Sequence, residues 1–201
     1  IDKVLENKLL KSNLIELERL ALKWNKSHNL FAKTTQVEFY HRHIEDSLQI
    51  AEFLPDSGKC VITDFGSGGG FPAIVLAIYA AAYLPEAEFN LFESNSKKSS
   101  FLNFCKGYFK LDNVNIHNCR IEEHQGIKSD VITARAFADL KAIFQLSEKF
   151  LKSETKFVLH KGKTAEEEIK TAEEKFSFDR TLKPSITGDG NILIAKDVKS
   201  K

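Results

Sequence analysis

Nine residues, Asp64-Phe65-Gly66-Ser67-Gly68-Gly69-Gly70-Phe71-Pro72, hold the densest chemical pattern in the chain, directly behind the β-rich Val61-Ile62-Thr63. Glycines let a backbone turn tightly and approach a ligand with no Cβ in the way. Pro72 suits the first turn of a following helix, whose free N–H groups then face the ligand. Three ligands compete for such a loop. A nucleoside triphosphate calls for a Gly-Lys-Ser/Thr ending, which is missing. A dinucleotide calls for G-x-G-x-x-G, and Phe71 stands where its last glycine belongs. The spacing present, D-x-G-x-G-x-G, is common in S-adenosylmethionine sites. With no ligand at all, the same residues make a tight strand-to-helix turn.

The next strand, Glu88 to Phe92, runs into Glu93 and Ser94. An acid at the end of the second strand of a βαβ unit is placed to accept hydrogen bonds from ribose hydroxyls. Alone it is as readily a solvated carboxylate; joined to the glycine loop it implies an adenosine moiety, with redox and methyl chemistry both open. His43, Asp46 and Ser47 suggest a hydrolase triad, but they fall at i, i+3 and i+4 of one helical stretch and share a face. A triad needs the histidine between nucleophile and acid and the nucleophile in an activating turn. A polar helix face with an Arg42–Asp46 pair is the plainer reading.

These groups need a scaffold, and the pattern supplies one. Up to Pro55 the periodicity is helical: Leu5, Leu9 and Leu10, then Leu14, Leu17, Leu20 and Ala21, with Thr35-Gln36-Val37-Glu38 as a capping box for a helix running toward Phe53. After Asp56-Ser57-Gly58, short β-rich runs at Val61, Glu88, Val114, Val131 and Lys156 alternate with helical stretches from about Pro72, Lys97, Ala138 and Thr164. That alternation predicts a parallel doubly wound α/β sheet. The last two strands, Phe176 to Leu182 and Asn191 to Ala195, predict a hairpin with an antiparallel edge. Two parts follow: residues 1–55 as a helical cap beside the ligand-binding ends of the strands, and 56–201 as the sheet domain.

Composition sets further limits. The chain has 201 residues, enough for one sizeable core. Its formal charge of +1 excludes a uniformly basic nucleic-acid binder, so any polyanion must meet a local patch. Lys23, Lys26, His28, Lys33, His41, Arg42 and His43 concentrate such charge in the cap. No apolar run reaches membrane-spanning length, no secretory signal opens the sequence, and three spaced cysteines match no metal or disulfide framework. A reduced, cytoplasmic, monomeric protein without membrane association is expected. No methionine occurs, the start residue included, as expected if residues have been trimmed.

Ordered blocks along nearly the whole chain resemble one family. They are Trp24-Asn25-Lys26 with Asn29-Leu30, Arg42 to Leu48, Asp64 to Pro72, Glu93-Ser94 with Lys97-Lys98 and Phe101-Leu102, Arg120 to Glu123, Ala134 to Phe137, and Lys161-Gly162. Together they are similar to the 16S ribosomal RNA guanine-N7 methyltransferases, the glucose-inhibited division protein B family. Ala73 and Val75 depart from the family's usual glycine and proline, inside the helix after the loop. The resemblance implies a class I methyltransferase fold, S-adenosylmethionine as donor, and transfer to N7 of a guanine in the 530 loop (guanine 527) of 16S ribosomal RNA, free or within the small subunit. It implies Gly66, Gly68 and Phe71 against the cofactor, Glu93 and Ser94 at its ribose, Ile121 and Glu122 at its adenine, and Arg135 between cofactor and catalytic cleft, with no general base. Lys26, Arg42, His43 and Lys161 are the residues implied for RNA. A nicotinamide-dependent oxidoreductase on the same fold and a non-catalytic RNA-binding or ribosome-assembly module remain the rival readings.

Overall fold

The computed structural model describes residues 6–32, 37–188 and 190–201. Seven strands form one sheet in the order β3-β2-β1-β4-β5-β7-β6. They are β1 (Val61–Phe65), β2 (Glu88–Phe92), β3 (Val114–His117), β4 (Ser129–Arg135), β5 (Leu151–Lys161), β6 (Phe176–Pro184) and β7 (Asn191–Ser200). The first five pair in parallel. β7 alone runs against them, antiparallel to β5 on one side and to β6 on the other, so the closing hairpin finishes that edge.

Alternate side chains leave the sheet on opposite faces, and both faces are dry. Ile62, Phe89, Leu91, Val131, Val158, Ile192 and Ile194 face one core; Phe65, Phe92, Ile132, Phe157, Leu159, Leu193 and Ala195 face the other. The first core is covered by α1 (Lys8–His28), α2 (Asp46–Gln49), α3 (Ala73–Tyr83) and α4 (Ser96–Tyr108), the second by α5 (Leu140–Ser147) and α6 (Ala165–Glu173). Helix α3 is apolar on every side, from Ala73 to Ile78 without a break. Such a helix must be enclosed, and α1 does this with Leu10, Leu14, Leu17 and Ala21, spaced along one stripe and buried. Ala73 and Val75, the two departures from the family pattern, are fully buried there.

The capping box does not open a uniform α-helix. Thr35 and Gln36, like Leu5 and Lys33, lie outside the described residues. Beyond them Glu38 has φ 61°, Tyr40–Glu45 is a π-helical turn, α2 is regular, and Ile50–Phe53 tightens to 3-10. The wide turn is held by one local and one distant contact: Ser47 Oγ donates to the His43 carbonyl at 2.5 Å, and the Arg42 carbonyl accepts from Arg135 Nη1 at 3.3 Å. Among the described residues, no helix is long and apolar enough to cross a membrane.

Candidate functional site

Strand order reverses between β1 and β4, the point where a doubly wound sheet opens a crevice at its carboxyl edge. A cavity of about 540 Å3 lies there. Its wall takes Gly66, Gly68 and Phe71 from the loop after β1, Glu93 and Ser94 from the end of β2, Ile121 and Glu122 from the turn after β3, and Arg135 from the end of β4. All eight residues assigned to the cofactor by resemblance are thus brought to one surface. Leu30, Phe31 and Ala32, just beyond the end of α1, close it from above.

The glycine loop holds its shape for reasons visible in its contacts. Gly66 has φ 67° and Gly70 φ 86°. A Cβ on Gly66 would stand 2.4 Å from the Phe137 ring, and one on Gly70 2.7 Å from Ile74. The Ser67 amide donates to the Phe92 carbonyl at 2.9 Å, tying the loop to β2. Glu93 completes the strap: Oε2 accepts from the Gly68 amide at 2.9 Å and Oε1 from the Asn95 amide at 2.7 Å. A carboxylate has about four acceptor sites, so capacity remains for a ribose. Below the loop Asp64 is buried, accepting from Thr133 Oγ1 at 2.6 Å. Burial pushes its carboxyl up to about 6, against the pull of Thr133 and Ser67.

A second cavity of about 580 Å3 adjoins the first, and the two share His43, Arg135, Ala136 and Phe137. Arg135 anchors the shared wall. Its Nη2 donates to His43 Nδ1 at 2.6 Å, and Nη1 reaches the Arg42 carbonyl and Asp46 Oδ2 at 3.3 and 3.4 Å. Because Nδ1 accepts, the His43 proton sits on Nε2. Burial, then the Arg135 and Arg42 charges, drive the His43 pKa down to about 3. Its ring rests among Phe31, Phe39 and Phe71, with centroids 4.6 to 5.4 Å away. Asp46 accepts from Ser185 Oγ at 2.5 Å, and its carbonyl meets His160 Nε2 at 3.0 Å. The triad arrangement is therefore not built: Ser47 is bonded to backbone, and Asp46 turns toward Arg135 and Ser185.

Of the residues implied for RNA, Arg42, His43 and Lys161 line the second cavity. The Lys161 ammonium is buried against Glu168 Oε2 at 2.7 Å and the Ala138 carbonyl at 2.9 Å. That same Glu168 oxygen accepts from the first amide of α5, Leu140, at 2.9 Å, so Lys161 braces the start of that helix. Glu168 is the acid of α6 that turns inward to do this. Lys26 is exposed near the end of α1 and lines neither cavity. Trp24 packs on Phe101 and Phe104 with centroids 5.4 and 5.2 Å away.

Residues 10–191 match the family model described as GidB, rRNA small subunit methyltransferase G. The chain belongs to this family. The Campylobacter fetus protein named ribosomal RNA small subunit methyltransferase G is 37% identical over 92% of this chain and 93% of its own. The Rickettsia prowazekii protein of the same name is 38% identical over 92% and 94%. Among solved structures, a SAM-dependent methyltransferase from Aquifex aeolicus aligns with TM-score 0.62 at 11% identity, over 88% of this chain and 97% of that one. An O-methyltransferase from Bacillus cereus in complex with SAH aligns with TM-score 0.60 at 17% identity, over 92% and 90%. These two share the fold.

Several residues of the GidB-family site have structural roles that residue type and spacing did not announce. Phe137 packs at Gly66, and Ala136 adopts φ 52° to place it. Asn25 Oδ1 accepts from the Phe31 amide at 3.0 Å, fixing the segment that roofs the cavity. Asp46, His160 and Ser185 meet across 114 and 139 residues of sequence. Asn25, Asp46, Ala136 and Phe137 stood inside blocks that the resemblance had singled out; His160 and Ser185 did not.

Proposed function

We propose that this chain transfers the methyl group of S-adenosylmethionine to N7 of a guanine in small-subunit ribosomal RNA, the 530-loop guanine being the acceptor. The observation that carries the reading is the shared wall between the two cavities. It joins a cofactor-sized crevice to a polar acceptor chamber through Arg135 and His43, with His43 held neutral and engaged at Nδ1. Guanine N7 has an in-plane lone pair and no proton at neutral pH, so its attack on a methyl group needs no base. A histidine with its pKa down near 3 is a poor base at pH 7, and suits that chemistry.

When bound, S-adenosylmethionine supplies a methyl group activated on a sulfonium sulfur. The glycine loop and the Glu93 strap fit such a group: Gly66 and Gly68 present bare backbone to the cavity, and Glu93 keeps acceptors for ribose hydroxyls. Ile121 and Glu122 flank the adenine end, Ser94 the ribose, and Arg135 holds the cleft open between donor and acceptor. The work of the protein is alignment and exclusion of water. N7 lies on the major-groove edge, which is closed to side chains in A-form RNA. The base must therefore enter the second cavity unpaired, with Arg42 near its phosphates and Lys26 farther along the strand. A ribosomal RNA substrate agrees with a cytoplasmic enzyme; we take it to act as a monomer, with residues 1–55 as the substrate-side cap on the 56–201 methyltransferase domain. Incubation with labelled S-adenosylmethionine and 16S ribosomal RNA, followed by mapping of the label, tests the reading. RNA that gains no label, or label on protein alone, would reject it.

A further inference from the structure

The chain's charge is unevenly placed. Helices α1 and α4 carry eight lysines or arginines against two acids, Glu16 and Glu18, a net +6 in a chain whose total is +1; the remainder therefore sums to −5. The two helices pack side by side and antiparallel: Trp24 near the end of α1 meets Phe101 and Phe104, while Glu16 Oε1 accepts from Tyr108 Oη at 2.7 Å. One of the two acids is thus spent within the seam, since Glu16 also holds Arg19 at 2.6 Å.

Aromatic rings run along this seam in succession. His28 to Trp24 is 4.7 Å between centroids, Trp24 to Phe104 5.2 Å, and Phe104 to Tyr108 5.7 Å. The last two of these are open to solvent, Phe104 at 36% and Tyr108 at 50%. The series begins where α1 ends, three residues before Phe31 of the cofactor cavity roof, and Lys98 of α4 lines that same cavity. Exposed Lys23, Lys26 and Lys97 flank it.

Exposed rings in line, bordered by cations and continuous with a catalytic mouth, are the chemistry of a single-strand nucleic-acid track: bases stack on the rings and phosphates meet the lysines. We propose that the α1–α4 seam binds an unpaired RNA segment flanking the target nucleotide, with bases stacked on Phe104 and Tyr108. The proposal rests on the methyltransferase reading for the identity of the RNA, but the seam's preference for single strands stands apart from it. It also gives Lys26, which lines neither cavity, a place on the substrate path.

The test uses a labelled single-stranded RNA oligonucleotide and a duplex of equal length, measured by anisotropy against the full chain. Trp24, the chain's single tryptophan, reports from inside the seam by its fluorescence. Single strands should bind more tightly than duplex and change Trp24 emission. Phe104→Ala with Tyr108→Ala should weaken single-strand binding by about thirtyfold or more, leave S-adenosylmethionine affinity unchanged, and raise KM for 16S ribosomal RNA with little change in kcat. Lys23→Gln with Lys97→Gln keeps the rings and should flatten the salt dependence by about 1.4 in logarithmic slope. Unchanged affinity and slope in both variants would overturn the proposal. So would an aromatic variant that binds naked single strands normally yet loses the assembled subunit, because the seam would then dock protein. If single-strand binding falls as expected while no methyl reaches guanine, the seam stands and the assigned reaction fails.

Discussion

Replacing Glu93 separates a ligand contact from a structural strap, because the geometry assigns it both. Its two oxygens accept backbone amides of Gly68 and Asn95 at 2.9 and 2.7 Å, and the residue is only 8% exposed. Hydrogen bonds to a charged acceptor contribute about 1.5–3 kcal/mol each, and a buried amide left alone costs a similar amount. Glu93→Ala removes both and should lower the stability of the ligand-free protein by about 3–5 kcal/mol, much of what a domain this size holds. Glu93→Gln is the better probe: its carbonyl keeps one amide and its NH2 opposes the other, so about half of that loss is expected. Urea denaturation without ligand reads this part. Calorimetry with S-adenosylmethionine reads the other, where affinity should fall by about 1–3 kcal/mol as ribose hydroxyls lose a charged partner. RNA affinity without cofactor should hardly move. A glutamine variant of full stability would refute the strap. One that loses stability yet binds S-adenosylmethionine as before would remove Glu93 from the ribose site, and a selective loss of RNA binding would overturn both assignments.

Three further outcomes are expected. Gly66→Val must adopt φ 67° and displace the Phe137 ring from 2.4 Å, so S-adenosylmethionine binding should vanish in a protein still folded by circular dichroism; unchanged calorimetric affinity would mean the loop does not meet the cofactor. Single-turnover methyl transfer on a short unstructured RNA should stay flat from about pH 6.5 to 8.5, in the wild type and in His43→Gln; a tenfold rise per pH unit that disappears in the variant would make His43 a base. Because the folded His43 pKa lies near 3, below its ordinary value, the unfolded chain binds the extra proton. Stability should therefore fall as pH drops from about 6.5 toward 3, and fall less in His43→Gln. Lys161→Met should lower thermal stability, since it strands Glu168 at the start of α5, and leave the salt dependence of RNA binding nearly unchanged. A slope flattened by a full unit would restore Lys161 to direct phosphate contact.

What the sequence disclosed was local. Strands β1, β2, β4 and β5 are short apolar runs because both sheet faces are covered, and α3 is apolar throughout because α1 encloses it; both facts are written in consecutive residues. The glycine loop was legible because its pattern is written in nine consecutive residues, although the contact that requires Gly66 comes from Phe137, far along the chain. The stretch from Glu38 to Phe53 was misread as one helix because its π-turn answers to Arg135, more than ninety residues away. Lys161 was implied for RNA by resemblance alone, and its ion pair with Glu168 of the next helix could not be read from spacing. His43 and Asp46 were visible as a polar face, but no periodicity could announce that the same arginine holds both. The α1 half of the basic seam was visible as charge gathered in the cap, but nothing in the sequence said that α4 lies against it with Lys97, Phe104 and Tyr108.

The most direct test of the central claim is the position of the methyl group itself. After incubation of 16S ribosomal RNA with this protein and S-adenosylmethionine, borohydride reduction and aniline cleavage cut the chain only where a guanine carries a methyl at N7. The account predicts one new cut, in the 530 loop, that requires both protein and cofactor. Methyl incorporation without that cut, or a cut elsewhere, would contradict it.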